Sequence, residues 1–284
     1  MLYSIHKEDE SMYKIIVCDL DETLISRDRT ISKENIEAIK KATELGVKFV
    51  PCTGRGYNSV HDTTEQLGLL NKENQYVISY NGGAITENKD EKVLYFQGIT
   101  FEEAEALYKR GLNYDHICIH VYTPDQVWVR NFYPEEIEYL ASRQPCTEIF
   151  GDDIDFLKGK EIVKAIYMNT DYDYLKRIEA EITDLTQDMD VSFSSNRYME
   201  FNRKGVSKGE GLKKLCNLLG VDIKDTIAIG DNYNDLSMIK EAGLGIGVSN
   251  TIEGMKKDCD IITENDCDHS AVAEVINKYI LHLD

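Results

Sequence analysis

Asp19 and Asp21 stand two positions apart in DLDETL, directly after a short apolar run. Carboxylates at that spacing can face one cavity, and close carboxylates repel, so one is protonated or a cation compensates both. That permits a division of labour. An ionised Asp19 can attack phosphorus, while a protonated Asp21 can donate to the leaving oxygen and then take a proton from water. Taken alone, the pair also reads as two solvated loop aspartates. Thr53-Gly54-Arg55 offers a hydroxyl and backbone N–H groups at a helix start, which suits an anion; simple helix capping by Thr53 is the plain alternative. Arg55 stands open between a substrate contact and a structural ion pair. Lys208, in GVSKGEGL, opens another helix and either neutralises phosphate and nucleophile together or lies on the surface. Two unit charges ~4 Å apart interact by about 4 kcal/mol at an effective dielectric near 20, the scale of repulsion between an uncompensated carboxylate and a phosphate dianion. In GDNYNDLSMI, Asp231 and Asp235 are four apart. Their hard oxygens suit Mg²⁺, which keeps several waters and takes few carboxylates, or they simply favour a helix N-terminus.

The chain elements must bring these residues together. KIIVC (14–18) reads as a buried strand ending at Asp19. A helix follows from Ser32, its N-cap, to Leu45, with Gly46 as the stop. VKFVPC is a second strand, a helix lies near Tyr57 to Leu67, and YVISY is a third strand ending at Asn81-Gly82-Gly83. Strands alternating with helices, each strand a continuous apolar run, predict a parallel sheet with right-handed crossovers. The pattern returns after residue 204, with a helix over 207–219, the strand TIAIG, a helix over 234–242 and the strands GIGV and CDIIT. The expected class is α/β, a doubly wound parallel sheet. Ligands bind beyond the carboxyl ends of such strands, so Asp19, Thr53, Asn81 and Asp231 are expected to gather at one edge.

Between the two halves the character changes. Helical stretches near 101–113, 134–142 and 172–187 alternate with strands, and HICIHVY and QVWVR read as a hairpin around Thr123-Pro124-Asp125. EIVKAIYMN is another strand, VSFSS and RYMEFN form a second hairpin, and YFQG at 95–98 reads as a strand of the same insert. Hairpins imply an antiparallel sheet with one face buried, which suits a separate small domain. The expected division is a core over 1–85, an inserted α/β domain over 86–203 and a second core part over 204–284. GLGIGV (243–248) imitates part of a dinucleotide fingerprint, but it follows a helix rather than a strand and reads as a strand with tight turns. His116 and His120 lie in the insert's hairpin, and His120 is expected to be a half-exposed structural residue rather than a substrate contact. Trp128 and Arg130 share a strand face and read either as core and surface or as a grip on a substrate's far end. The acidic runs at 8–10 and 152–155 read as solvated.

Composition narrows the function. The 284 residues carry a net charge of -19, which repels nucleic acid and anionic membrane, so neither is an expected partner. The same charge repels a phosphorylated substrate, so a phosphate site needs its own positive charge. No apolar run approaches the ~20 residues of a membrane helix, and the polar start MLYSIHKEDESM does not read as a signal peptide. It is expected to be a disordered lead before Tyr13. The 7 cysteines are odd in number, scattered and without a CxxC pair, which argues for a reducing cytoplasm and against zinc or disulfides. Cys18 and Cys52, each near a strand end, are expected to lie near each other as ordinary buried residues.

The motifs DLDETL, CTGR, GVSKGEGL and GDNYND together resemble the four motifs of the haloacid dehalogenase-like superfamily. NGG after the third strand, and the large insertion between the second and third motifs, resemble its Cof-type branch with an α/β cap. The resemblance covers the chain from residue 13 onward. It implies Asp19 as nucleophile and Mg²⁺ ligand, and Asp21 as acid/base that also gives the metal its backbone carbonyl. It implies Asp231 as the third protein ligand and Asp235 as holding a metal-bound water or orienting the site. Thr53, Gly54, Lys208 and Asn234 resemble the phosphate contacts, and Arg55 and Asn81 at the same edge are expected to bind phosphate or substrate with them. The implied activity is a Mg²⁺-dependent phosphatase of small phosphorylated metabolites, such as sugar phosphates or cofactor-pathway phosphates, with a cap that closes over substrate. A phosphomutase uses the same motifs, and a catalytically silent binding protein is a third reading, against which the intact motifs speak. Two departures stand out: Glu22 replaces the usual Gly after the acid/base, and Asp268-His269-Ser270 replaces the usual Asp-Gly-Val near the C-terminus.

Overall fold

The computed structural model describes residues 13–141 and 146–283. The expected lead before Tyr13, with its acidic run at 8–10, lies outside the described residues. The chain falls into two compact units, one running to Tyr95 and resuming at Ser207, the other Phe96–Val206.

In the first unit the chain runs through β1 (Ile15–Cys18), α1 (Lys33–Glu44), β2 (Lys48–Pro51), α2 (His61–Gln66), β3 (Tyr76–Ser79), β4 (Ala84–Glu87) and β5 (Lys92–Phe96). The second unit holds α3 (Phe101–Gly111), β6 (Cys118–Tyr122), β7 (Val127–Arg130), α4 (Pro134–Leu140), β8 (Cys146–Ile149), β9 (Lys164–Met168), α5 (Tyr172–Glu181), β10 (Met189–Ser194) and β11 (Tyr198–Arg203). The first unit resumes with α6 (Lys208–Leu219), β12 (Thr226–Gly230), α7 (Leu236–Glu241), β13 (Leu244–Gly247), α8 (Glu253–Lys256), β14 (Ile261–Ile262) and α9 (Ala271–Tyr279). Among the described residues no helix is long and apolar enough to cross a membrane.

The core sheet has the order β14-β13-β12-β1-β2, and every pairing in it is parallel. Each residue of β1 is buried because apolar clusters cover both faces of the sheet, which is why IIVC reads as an unbroken apolar run. Register then places the site. Cys18 lies opposite Ile229 on one side and Pro51 on the other. The residues that follow, Asp19, Gly230-Asp231 and Cys52-Thr53, therefore leave the sheet side by side at its carboxyl end.

β3 does not extend the parallel ladder as expected. It meets the core sheet through one parallel bridge, Cys52 to Ile78, and belongs to a three-stranded sheet of order β3-β4-β5, in which β3 and β4 are antiparallel. The reversal at Tyr80–Gly82, where Tyr80, Asn81 and Gly82 all take positive φ, turns the chain back so that β4 runs antiparallel to β3. The segment around 95–98 is correspondingly not a strand of the insert: β5 lies beside β4, and the first unit runs on to Tyr95. The sequence had set the boundaries after 85 and after 203.

The second unit is a six-stranded sheet of order β10-β11-β9-β6-β7-β8, antiparallel except for the parallel pair β7–β8. β8 has no counterpart in the sequence reading, and α5 stops at Glu181 where a helix to 187 was expected. One sheet face packs into a core with Leu107, Tyr108, Leu175 and Ile178 of α3 and α5; the other carries a smaller apolar cluster that includes Tyr139 of α4. His120 is fully buried rather than half exposed, 3.5 Å from the Glu136 carboxylate of α4. Burial is the main reason its pKa falls to about 3, with Lys164 adding to the drop. Trp128 donates to the Thr123 hydroxyl at 3.2 Å and meets Phe156 edge-on, while Arg130 pairs with Asp152 at 3.2 Å.

Candidate active site

Three loops and one helix start supply the site. Asp19 follows β1 and Asp231 follows β12, each about 6 % exposed; Asp235, just before α7, and Lys208, the first residue of α6, are fully buried. The Lys208 ammonium is hydrogen-bonded to Asp19 and reaches Asp235 Oδ1 at 2.5 Å. The other Asp235 oxygen accepts from the backbone N–H groups of Asp231 and Asn232, each at 3.0 Å. Asp235 is thus engaged at both oxygens, which fixes the 230–235 loop and the lysine together.

Electrostatics explain what the cluster lacks. Burial pushes the Asp19 carboxyl up to about 7; Lys208 opposes the rise, and Asp235 and Asp231 reinforce it. Burial also lifts Asp231 to about 7, against a hydrogen bond from Thr23 and with the charges of Asp235 and Glu22 adding. For Lys208, burial disfavours the charge, but Asp19 and Asp235 outweigh it and hold the ammonium charged. A lysine held charged beside carboxylates that resist ionisation means too little positive charge: three carboxylates face one cation. With all three ionised, the carboxylates would exceed the lysine by two negative charges, which one divalent ion would offset. The donor set agrees, since one oxygen from each of Asp19, Asp231 and Asp235 lies within 4.8 Å of the others, a group of hard donors suited to a hard divalent cation. The Asp21 side chain is not in this group.

Asp21 is more than half exposed and has its own cation, a two-pronged ion pair with Arg55, whose Nε donates at 2.9 Å. Arg55, left open by the sequence, is here an ion-pair partner. Each member of the Asp19/Asp21 pair is compensated by a different basic residue. Thr53 is buried, and its hydroxyl accepts from the Arg55 N–H at 3.1 Å, while Gly54 lies against the side chain of Asn81. Asn234 is exposed on its loop, with Nδ2 3.4 Å from Asn81 Oδ1. The fold therefore brings all ten predicted site residues to one edge of one unit.

Sequence reasoning missed two supports. Thr23 is buried and donates to Asp231 Oδ1 at 2.8 Å, tying the first aspartate loop to the last. A buried hydroxyl two residues past Asp21 was the available signal. Asn250 donates to the Glu22 carbonyl at 2.8 Å and accepts from the Cys267 N–H at 2.9 Å. It therefore holds Glu22, which takes the left-handed φ of 57 that glycine would adopt freely. The Asp268-His269-Ser270 departure is part of the same corner, where Asp268 accepts from the Arg27 N–H at 2.9 Å and pairs with its guanidinium. Cys18 and Cys52 lie next to each other as expected, both buried, the Cys52 N–H donating to the Cys18 carbonyl at 2.8 Å, with their side chains in different apolar clusters.

Comparison with known proteins points the same way. A family profile described as haloacid dehalogenase-like hydrolase matches residues 16–276. The 5-amino-6-(5-phospho-D-ribitylamino)uracil phosphatase YcsE of Bacillus subtilis (strain 168) is 29% identical over 282 residues, covering 98% of this chain and 100% of that one. A second B. subtilis phosphatase of the same description, YwtE, is 29% identical over 293 residues, with 94% and 98% covered. Among solved structures, a haloacid dehalogenase-like hydrolase from Bacteroides thetaiotaomicron superposes with a TM-score of 0.82 at 30% identity, over 94% of this chain and 99% of that one.

Proposed function

The chain belongs to the haloacid dehalogenase-like hydrolase family and is a phosphatase of small phosphorylated substrates, and we propose that it works through a phosphoryl group carried on Asp19. Asp19 attacks phosphorus; the bond from phosphorus to the leaving oxygen breaks as Asp21 gives that oxygen its proton. Asp21 then takes a proton from water. The water oxygen attacks phosphorus, the bond to Asp19 breaks, and inorganic phosphate leaves. The observation that carries this reading is the buried Lys208 ammonium, bonded to both Asp19 and Asp235, at the sheet edge where Thr53 and Asp231 also emerge.

Thr53, the Gly54 backbone, Lys208 and Asn234 are the proposed contacts to phosphate oxygens, where donors fixed in advance stabilise the charge of the transition state. Arg55 and Asn81 belong to the same edge. Because Arg55 pairs with Asp21, an arriving phosphate competes with Asp21 for its guanidinium. A divalent cation, Mg²⁺ in this reading, would be held by Asp19, Asp231 and the Asp21 carbonyl, with Asp235 orienting the site. When bound, it offsets the repulsion between carboxylate and phosphate and favours in-line attack.

Two relatives are named for a ribityl phosphate, which supports a phosphorylated sugar, polyol or cofactor precursor as the substrate class. A screen of phosphorylated metabolites with Mg²⁺, ranked by kcat/KM, tests that class. Asp19→Asn tests the chemistry: turnover should fall by about 10⁴-fold or more with the circular dichroism spectrum unchanged. Undiminished phosphate release by that variant refutes the assignment, and isomerised product without free phosphate points to a mutase.

A further inference from the structure

The segment Tyr80–Gly83 touches more of the site than its sequence suggests. Tyr80 and Asn81 are consecutive residues with φ of 52 and 54. Asparagine tolerates that region, but a bulky aromatic residue rarely enters it. The conformation directs two backbone donors at one loop. The Tyr80 N–H donates to the Arg55 carbonyl at 3.0 Å, and the Asn81 N–H donates to the Thr53 carbonyl at 2.9 Å. The Thr53 N–H in turn donates to the Ile78 carbonyl at 2.9 Å. Residues 53–55 thus hang on the end of β3 at both sides.

The Asn81 side chain sets the spacing within the same edge. A Cβ on Gly54 would lie 3.2 Å from Asn81 Oδ1 and 3.3 Å from Nδ2, closer than side chains ordinarily approach. On its other side, Oδ1 accepts from Asn234 Nδ2 at 3.4 Å. The next residue anchors the segment to the lysine helix. Gly82 has φ 99, and any Cβ there would lie 2.1 Å from the Ser207 carbonyl, the N-cap of α6. One short segment therefore meets the threonine loop, the 230–235 loop and the helix that begins with Lys208.

We propose that Asn81 is a positioning residue: its left-handed backbone suspends Thr53–Arg55, and its amide holds Gly54 and Asn234 at the separation a phosphoryl group requires, without itself binding phosphate. A side chain at Gly54 would press on the Asn81 amide, which would have to shift by a few tenths of an ångström. The proposal deepens the phosphatase reading and rests on it for its kinetic arm only.

The variant of choice is Asn81→Gly, which removes the amide and keeps the left-handed backbone accessible. A misplacement of about 1 Å costs on the order of 100-fold in rate, so kcat for an aryl phosphate should fall 10- to 100-fold. Affinity for orthovanadate, a mimic of the five-coordinate phosphorus, should fall in step, while inhibition by inorganic phosphate and Mg²⁺ affinity stay within about twofold. A residue that touches phosphate would instead weaken inorganic phosphate by the same factor as kcat/KM, and that result overturns the proposal. The second arm needs no turnover. Gly54→Ala should lower the melting temperature, and adding Asn81→Gly should recover most of the loss. Strictly additive melting shifts would refute the spacing role, even if the wild-type chain proved inactive on every phosphate ester. Wild-type inactivity with a strong recovery would leave the spacing role standing and sink the phosphatase reading.

Discussion

In the first unit three buried carboxylates cluster beside one lysine; in the second, Glu200 has a lysine and buried Glu136 an arginine. Asp19 and Asp235 pair with Lys208, Asp231 accepts from the Thr23 hydroxyl, and burial lifts Asp19 and Asp231 to about 7. In the other unit Glu200 pairs with Lys164 and accepts from the Ser194 hydroxyl, and Glu136 lies 3.6 Å from Arg197 and accepts from the Tyr198 hydroxyl. Burial works against Glu200 as well, but Lys164 and the hydrogen bonds overcome it and hold its pKa below the usual carboxylate range. Buried charge is costly in both places. Where the chain supplies its own counter-charge, the cluster is a structural tie. Where the carboxylates outnumber the chain's own basic groups, the cluster is the proposed seat of a divalent cation.

Removing the lone cation should break the contrast most strongly. Without divalent ions, Lys208→Met should cost about 3–5 kcal/mol of stability, the range for a buried pair that loses one partner. Lys164→Met should cost clearly less, because Lys164 and Glu200 each keep 15% of their side chains exposed and water can screen the orphaned charge. Urea unfolding of both variants in a chelator decides, and equal losses would erase the distinction.

Adding the missing charge is the next test. Mg²⁺ at about 100 times its dissociation constant should stabilise the protein by about 2.7 kcal/mol. Asp231→Asn should reduce that gain sharply, and Glu136→Gln should leave it intact. Calorimetric scans with and without Mg²⁺ read both, and a gain that survives Asp231→Asn would remove that residue from the cation site.

The pH dependence is the most discriminating test. Between about pH 4 and 6.5 the two clusters should pull stability in opposite directions in metal-free protein. Asp19 and Asp231 keep their protons up to about 7 when folded but lose them from 3.8 upward when unfolded, so rising pH favours unfolding of the first unit. His120 takes a proton below 6.5 when unfolded but only near 3 when folded. Its contribution is therefore present above 6.5 and lost as pH falls. Each group contributes at most about 1.4 kcal/mol per pH unit, so the two aspartates together can slope about twice as steeply as His120. The single tryptophan, Trp128, lies in the second unit and reports it by fluorescence. Hydrogen exchange at the β1 amides reports the first unit. Slopes of the same sign would contradict the difference in charge supply.

Much of this was legible in the sequence, and the rest was hidden for identifiable reasons. β1, β2 and β12 are parallel strands covered on both faces, so their apolar runs are unbroken and their ends locate Asp19, Thr53 and Asp231 directly. Lys208 was visible as the start of α6, since Ser207 caps that helix by accepting from the Glu210 N–H at 3.2 Å. β8 was invisible because CTEI at a sheet edge has mostly unburied side chains and shows no alternation. The full burial of His120 was hidden because strand alternation assigns it a face but does not say that α4 covers that face. The return of the chain as β4, antiparallel to β3, depended on left-handed backbone at Tyr80, a conformation that tyrosine does not advertise. The pairing of Arg55 with Asp21 joins loops 34 positions apart, a distance no local pattern spans.

The interruption of the first unit between Tyr95 and Ser207 has a consequence for biosynthesis. β1 lies between β2 and β12, so when the ribosome has released Asp19 and Thr53, one edge of the central strand still lacks its neighbour. The whole second unit, with its own apolar core, emerges before Lys208 does. At roughly 5–20 residues per second, about 10–40 s pass between the emergence of Asp19 and that of the lysine and last aspartates that join it.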